Sequence, residues 1–210
     1  RDAVKAKPED VDAKLALATL ISAQKSFEAA EKELLGFVKA SPKDLELRLG
    51  VARFYEMNGK LEQGEAMYRD VIKDADDKAA GITARTRIAS IMIRSGKAEE
   101  GAKLVDEVLA KNPSDADALV MRAQLAIQRG APEDAITDLR TALRDQPTNI
   151  LVIAQLAQAY IRSGNVALAE QTLRQAVQAN PRDVQTRLAL AQFLVNKGEP
   201  DKARPVLDQL

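Results

Sequence analysis

The chain has 210 residues, of which 31 are basic and 31 acidic, so there is no net field to hold a polyanion and a nucleic-acid partner is not expected. It has no cysteine and no histidine, which removes thiolate and imidazole metal sites, cysteine nucleophiles and histidine-activated serines; no catalytic residue, metal or cofactor is expected. Hydrophobic residues reach 46% with only 3% aromatics, which implies many small apolar contacts, and no run approaches the ~18 consecutive apolar residues that span a bilayer.

The chain opens Arg1-Asp2-Ala3, without an initiator methionine or signal peptide, as an excised piece would. Residues 1–10 read as the end of a preceding unit, with Ala3, Val4 and Pro8 in the places that Ala176, Val177 and Pro181 take later. Pro8 and Pro42 stand 34 apart, as do Pro113, Pro147 and Pro181, and the 71 residues from Pro42 to Pro113 are two periods plus three. Each proline heads a Pro-x-Asp/Asn signal, ending in Asp10, Asp44, Asp115, Asn149 and Asp183. Proline stops one helix, and the Asp or Asn side chain accepts from the exposed amides of the next.

About fourteen helical residues follow each signal, and then glycine ends the first helix through its access to positive φ, at Gly59, Gly96, Gly130, Gly164 and Gly198. The first repeat carries Lys25 there. Helix pairs are predicted near 11–40, 45–74, 78–111, 116–145, 150–179 and 184–210, with no strand. Pro132 and Pro200 fall where a second helix starts, a place proline tolerates.

Two interruptions break the pattern. Three extra residues in the stretch from Asp74 to Gly81 predict a third-repeat first helix longer by about a turn and capped by Asp76 or Asp77. Pro205, inside the final helix, predicts a kink or a late start.

Two series of small residues keep the same register. Ala18, Ala52, Ala89, Ala123, Ala157 and Ala191 lie on the first helices; Ala30, Gly64, Gly101, Ala135, Ala169 and Ala203 lie on the second. They mark where two helix backbones approach closely, with larger apolar residues filling the seam.

In this register each repeat resembles the tetratricopeptide repeat, best seen in the fifth: Leu156-Ala157, Tyr160, Gly164, Ala169, Leu173, Ala176 and Pro181. The place that the family pattern gives to tryptophan holds Lys14, Arg48, Arg85, Leu119, Ile153 and Arg187. A pentatricopeptide RNA reader also stacks helical hairpins, but its period is one residue longer and its face more basic. The resemblance implies an all-α fold, a right-handed superhelical solenoid of antiparallel helix pairs. It would form a single array over 1–210 of about six repeats at 11–44, 45–78, 82–115, 116–149, 150–183 and 184–210.

The same resemblance implies a non-enzymatic protein-interaction scaffold whose first helices line a groove for a protein or peptide partner. At 100° per residue the second, fifth, ninth, twelfth and thirteenth places of each first helix share one stripe. The first repeat offers Asp12, Leu15, Thr19, Ser22 and Ala23, and the second Glu46, Leu49, Arg53, Glu56 and Met57. The third is mostly polar and ends in Arg94. The fourth gives Asp117, Val120, Gln124, Ile127 and Gln128; the fifth Leu151, Ala154, Gln158, Ile161 and Arg162; the sixth Gln185, Leu188, Gln192, Val195 and Asn196.

Gln124, Gln158 and Gln192 form an amide ladder able to donate to and accept from a peptide backbone, flanked by aliphatic surface that suits an extended segment or a helix. Arg53, Arg94 and Arg162 are candidates for acidic groups on that partner. The carboxylate clamp of chaperone-binding relatives needs Lys at the fifth place and Asn at the ninth. The fifth places here are Leu15, Leu49, Thr86, Val120, Ala154 and Leu188, and no ninth place is Asn, so a chaperone tail is not the expected ligand.

The Ala-, Gln- and Arg-rich texture of Gln155 to Ala203 resembles bacterial arrays, among them envelope lipoproteins and periplasmic scaffolds of exopolysaccharide export. That implies a periplasmic or outer-membrane-attached setting; a cytoplasmic bacterial scaffold and a polysaccharide-binding module are the alternatives. Val206, Leu207 and Leu210 have no capping neighbour in the sequence, and exposed apolar repeat ends fray or self-associate. Concentration-dependent dimerisation or end fraying is expected. Light scattering that gives a strict monomer, together with full amide protection out to residue 207, would overturn it.

Overall fold

The computed structural model describes residues 2–75 and 78–208, so Asp76, Asp77 and Leu210 lie outside the described residues. Among the described residues every regular element is an α-helix, and no helix is long and apolar enough to cross a membrane. The chain forms two compact units, Arg1–Leu104 and Val105–Leu210, each described by itself below.

The N-terminal unit contains α1 (Asp2–Ala6), α2 (Val11–Gln24), α3 (Phe27–Ala40), α4 (Leu45–Met57), α5 (Leu61–Ala75) and α6 (Ala79–Arg94). Helix α7 (Ala98–Lys111) runs across the division. The C-terminal unit continues with α8 (Ala116–Gln128), α9 (Pro132–Asp145), α10 (Ile150–Arg162), α11 (Val166–Ala179), α12 (Val184–Asn196) and α13 (Pro200–Leu207). Helices α1 to α6 each pack against the next, as do α8 to α13, and first helices also lie beside one another: α2 on α4 and α4 on α6 in the first unit, α8 on α10 and α10 on α12 in the second.

The starts and stops have the predicted chemistry. Side chains of Asp10, Asp44, Asp115 and Asp183 accept from the amides of Ala13, Leu47, Ala118 and Thr186 at 2.8, 2.9, 3.0 and 2.9 Å. Asn149 accepts from Leu151 at 3.0 Å. Gly59, with φ of 72°, ends α4 in the left-handed region, so that the Lys60 amide reaches back to the Tyr55 carbonyl at 2.9 Å. The same reversed bond follows Gly96, Gly130, Gly164 and Gly198.

Helix α6 has 16 residues against 13 in α4, the extra turn predicted from the inserted residues. Lys78 occupies its N-cap and makes no side-chain cap bond, and the cap expected of Asp76 or Asp77 lies outside the described residues. The last helix begins on time at Pro200 and carries Pro205 within it.

Close backbone approach explains both series of small residues. A Cβ added at Gly64 would stand 3.1 Å from the Ala52 carbonyl oxygen, and one at Gly101 would stand 3.0 Å from that of Ala89. Ala123, Ala157 and Ala191 of α8, α10 and α12 are buried, as are Ala135, Ala169 and Ala203 of α9, α11 and α13. Around these seams Leu34, Leu47, Val51, Tyr68, Val71 and Ile88 fill the first unit, and Leu139, Val152 and Leu194 the second. Phe27 stacks on Phe54 at 5.6 Å between ring centroids.

Ion pairs brace the second unit. Arg122 of α8 grips the buried Asp138 of α9 through two bonds of 2.8 Å, an arrangement that raises the guanidinium pKa. Lys197, at the end of α12, donates to Glu170 of α11 at 2.7 Å and pairs with Glu199 at 3.1 Å. Hydrogen bonds from Lys197 and Arg174 hold Glu170 below the usual carboxylate range, and the bonds to Glu170 and Glu199 hold Lys197 above its ordinary value.

Two predictions arise from this frame. Gly130→Ala, forced into the left-handed region at φ 78°, should lower stability by about 1 kcal/mol, and Asp115→Ala by about 1 kcal/mol through its lost cap; denaturant unfolding measures both. The Lys197–Glu170 tether should also shape the pH profile. A lowered carboxylate stabilises above its unfolded pKa, and that contribution is lost as pH falls through the folded value. A raised amine stabilises below its unfolded pKa, and that contribution is lost as pH rises through the folded value. The tether is therefore complete between about pH 5 and pH 10. Thermal unfolding should weaken on both sides of that window, with a smaller loss on the acid side in Glu170→Gln.

Candidate functional site

Helical packing leaves one stripe of α10 and one of α12 without a covering neighbour. On α10 this stripe carries Leu151, Ala154, Gln158, Ile161 and Arg162, all exposed; on α12 Gln185, Leu188, Gln192, Val195 and Asn196 are exposed too. Four of these residues are large aliphatics in water: Leu151 is 58% exposed, Ile161 46%, Leu188 43% and Val195 48%. Single exposed aliphatics are ordinary on a protein surface, but a cluster along one face marks a place of contact.

Between α10 and α12 lies a cleft of about 450 Å³, within the range of about 300–1,000 Å³ common for ligand clefts. Gln158 and Ile161 of α10 and Gln192 and Asn196 of α12 line it, with Ala154, Ala157, Ala189 and Phe193 between them. Val166 and Leu173 of α11 and Lys197 complete its lining. The Gln192 side-chain nitrogen donates to Asn196 Oδ1 at 2.9 Å, which aligns these two amides one helical turn apart. The result is an apolar trough with amide groups along its lips, suited to aliphatic side chains below and to peptide groups above.

The remaining candidates are distributed differently. Gln124 and Gln128 are exposed on α8, which lies beside α10, whereas Val120 is half-buried and Ile127 is buried, so Ile127 serves packing. Arg94 belongs to the N-terminal unit and pairs with Glu56 at 2.5 Å, and Tyr68 donates to that same carboxylate at 3.4 Å. The Tyr68 phenol is pushed up to about 12 by burial first and then by the Glu56 charge.

Sequence reasoning had not assigned Val166, Leu173, Ala189, Phe193 and Lys197 to the site. The available signal was the turn: Val166 and Lys197 each stand within two residues of a helix-ending glycine, Gly164 or Gly198.

The N-terminal unit has its own cleft, about 590 Å³, between α2 and α4. The stripe residues Asp12, Thr19, Ser22, Glu46, Arg53 and Met57 line it. Gly50 and Leu15 line it too, packed so closely that a Cβ at Gly50 would stand 2.6 Å from a methyl of Leu15. Both carboxylates and a guanidinium line this cleft, in contrast to the uncharged amides of the α10–α12 trough.

Comparisons with known proteins bear on this arrangement. Family patterns described as the tetratricopeptide repeat match residues 87–150, 126–183 and 167–210. A search of curated proteins gives no match. A tetratricopeptide repeat protein from Parabacteroides merdae is similar in structure, with a TM-score of 0.68, 18% identity, and coverage of 95% of this chain and 78% of that one. A thermophilic repeat protein of Thermus thermophilus gives 0.66 at 19% identity, over 89% of this chain and all of that one. Yeast Tom70 gives 0.77 at 15% identity, over 99% of this chain and 44% of its own. At these identities the likeness is one of fold. With the paired helices, their repeated caps and the matched patterns over more than half its length, the chain belongs to the tetratricopeptide repeat family.

Proposed function

We propose that this protein is a non-catalytic interaction scaffold and that its C-terminal unit grips an extended segment or a helix of a partner protein in the trough between α10 and α12. The tetratricopeptide fold supports a protein-binding role in general. The finer reading is carried by one observation: Ile161 lines an apolar cleft with Gln158 and Gln192, and Leu151, Leu188 and Val195 are exposed on the same stripes of α10 and α12.

Each aliphatic is about half exposed, and covering it contributes on the order of 1 kcal/mol. That gain favours a partner presenting leucine-like side chains at helical or alternate spacing. The amides of Gln158, Gln192 and Asn196 then bond to its backbone or polar side chains, setting direction more than affinity. Arg162, exposed at the end of α10, suits an acidic residue on that partner. Gln124 of α8 continues the row, so a longer partner segment would engage three repeats.

We infer a bacterial envelope assembly as the setting, from the texture of Gln155 to Ala203. An upstream signal peptide with a lipobox cysteine in the gene supports that setting, and its absence favours the cytoplasm.

Peptides selected against the immobilised protein from a display library test the trough. They should shift amide resonances of α10 and α12, and Ile161→Asp with Leu188→Asp should weaken them by at least about tenfold, since two apolar anchors become charged. Gln124, Gln158 and Gln192 changed together to Ala should weaken them several-fold with the fold intact. If soluble glycans shift the trough resonances and peptides do not, the polysaccharide reading replaces this one.

A further inference from the structure

The place that the family pattern gives to tryptophan is buried in every repeat, although four of its six occupants are basic: Lys14, Arg48, Arg85, Leu119, Ile153 and Arg187. Burial of a guanidinium needs partners, and two repeats show what they are. Arg48 donates to the Pro42 carbonyl at 3.4 Å and pairs with the Asp74 carboxylate. Arg187 donates to the Pro181 carbonyl at 2.8 Å and to that of Val206 at 3.4 Å. In both, the arginine takes the notch between the turn proline and its own repeat's second helix, although in the sixth repeat a cleft of about 480 Å³, lined by Arg187, Asp201 and Lys202, remains beside it.

The fifth repeat lacks the plug. In the places of Pro42, Arg48 and Asp74 it has Pro147, Ile153 and Ala179, so neither the guanidinium nor its carboxylate is present. All three residues line a cleft of about 560 Å³ between α9 and α11. Leu156 and Tyr160 form its floor with Ile153, and Leu168, 43% exposed, stands at its edge. At 100° per residue, Ile153, Leu156 and Tyr160 project roughly 140–160° from Gln158, so this cleft occupies the face of α10 opposite the trough.

The charge of the cleft is one-sided. Its charged lining residues are Arg140 and Arg144, exposed one turn apart on α9, in a chain whose acidic and basic residues balance overall. Gln171 and Gln175 of α11 also line it.

We propose that this cleft is a second docking site, one that takes an acidic peptide bearing a large apolar side chain. The apolar side chain fills the notch over Ile153 and Ala179, where other repeats place their own arginine. Carboxylates on either side of it pair with Arg140 and Arg144. A polyanion without an apolar anchor would leave the notch empty, which favours a peptide over nucleic acid. The site stands independently of the trough, since it shares no lining residue with it.

Fluorescence anisotropy with a labelled Glu-Asp-Leu-Phe-Glu-Asp peptide tests the proposal on the whole chain. Saturable binding is expected, weakening as salt is raised. Ile153→Arg with Ala179→Asp, which rebuilds the plug of the second repeat, should weaken it at least tenfold. Arg140→Glu with Arg144→Glu, confined to the surface, should do the same and should favour the peptide with Lys in place of its acidic residues. The proposal is overturned if wild type gives no saturable binding, if the charge-reversed variant binds the acidic peptide as wild type does, or if oligothymidylate competes the peptide away.

Discussion

Everything in this molecule depends on how closely two helix backbones approach inside each repeat. At the second repeat the gap at Gly64 is so small that a methyl group would already lie 3.1 Å from the Ala52 carbonyl oxygen. At the third the corresponding distance is 3.0 Å, from Gly101 to Ala89. Larger side chains are excluded from the seam and displaced to its margins, where Tyr68, Val71 and Ile88 interlock in the N-terminal unit. Because the seam is nearly all backbone, its geometry depends little on which aliphatic residues fill the margins. The repeats can therefore differ widely at other positions and still fold alike.

That tolerance has chemical consequences at the buried large-residue place. A long cationic side chain can occupy it if its stem packs and its head reaches polar atoms. Arg48 and Arg187 reach turn carbonyls, and Lys14 lies 5.8 Å from the centre of the Phe37 ring. Ile153 satisfies the burial requirement but not the volume, and the cleft beside it follows from that difference.

The element plan was legible in the sequence because its signals are local. A proline, an Asp two residues on and a glycine one helix later each act within a few residues, and the caps and reversed turns obey them. The register of the stripe was equally legible, since it follows from helical periodicity, and it brought Gln158, Ile161, Gln192 and Asn196 to one cleft. Less legible were contacts that cross between helices. The pairing of Arg94 with Glu56, 38 residues away, requires two helices to be placed before it can be seen. The same holds for Lys197 and Glu170, and for the end wall that α11 lends to the trough. The cap expected of Asp76 or Asp77 lies outside the described residues, and α6 begins at Ala79 behind Lys78.

Helix α10 brings these threads together. Its sequence is the most continuously apolar of the first helices, with Leu151, Val152, Ile153, Leu156 and Ile161 spread around its circumference. Such a helix has more apolar surface than two flanking helices can cover. Helices α8, α9, α11 and α12 all pack on it, and Val152, Leu156 and Ala159 are buried. What remains is divided between two opposite faces, the trough toward α12 and the notch toward α9 and α11. The amide-lined face suits a neutral, leucine-bearing segment, and the arginine-rimmed face suits an acidic one. Two partners of different charge could then be held on one helix without competing, and the rigid seam beneath them would keep the two sites at a constant separation.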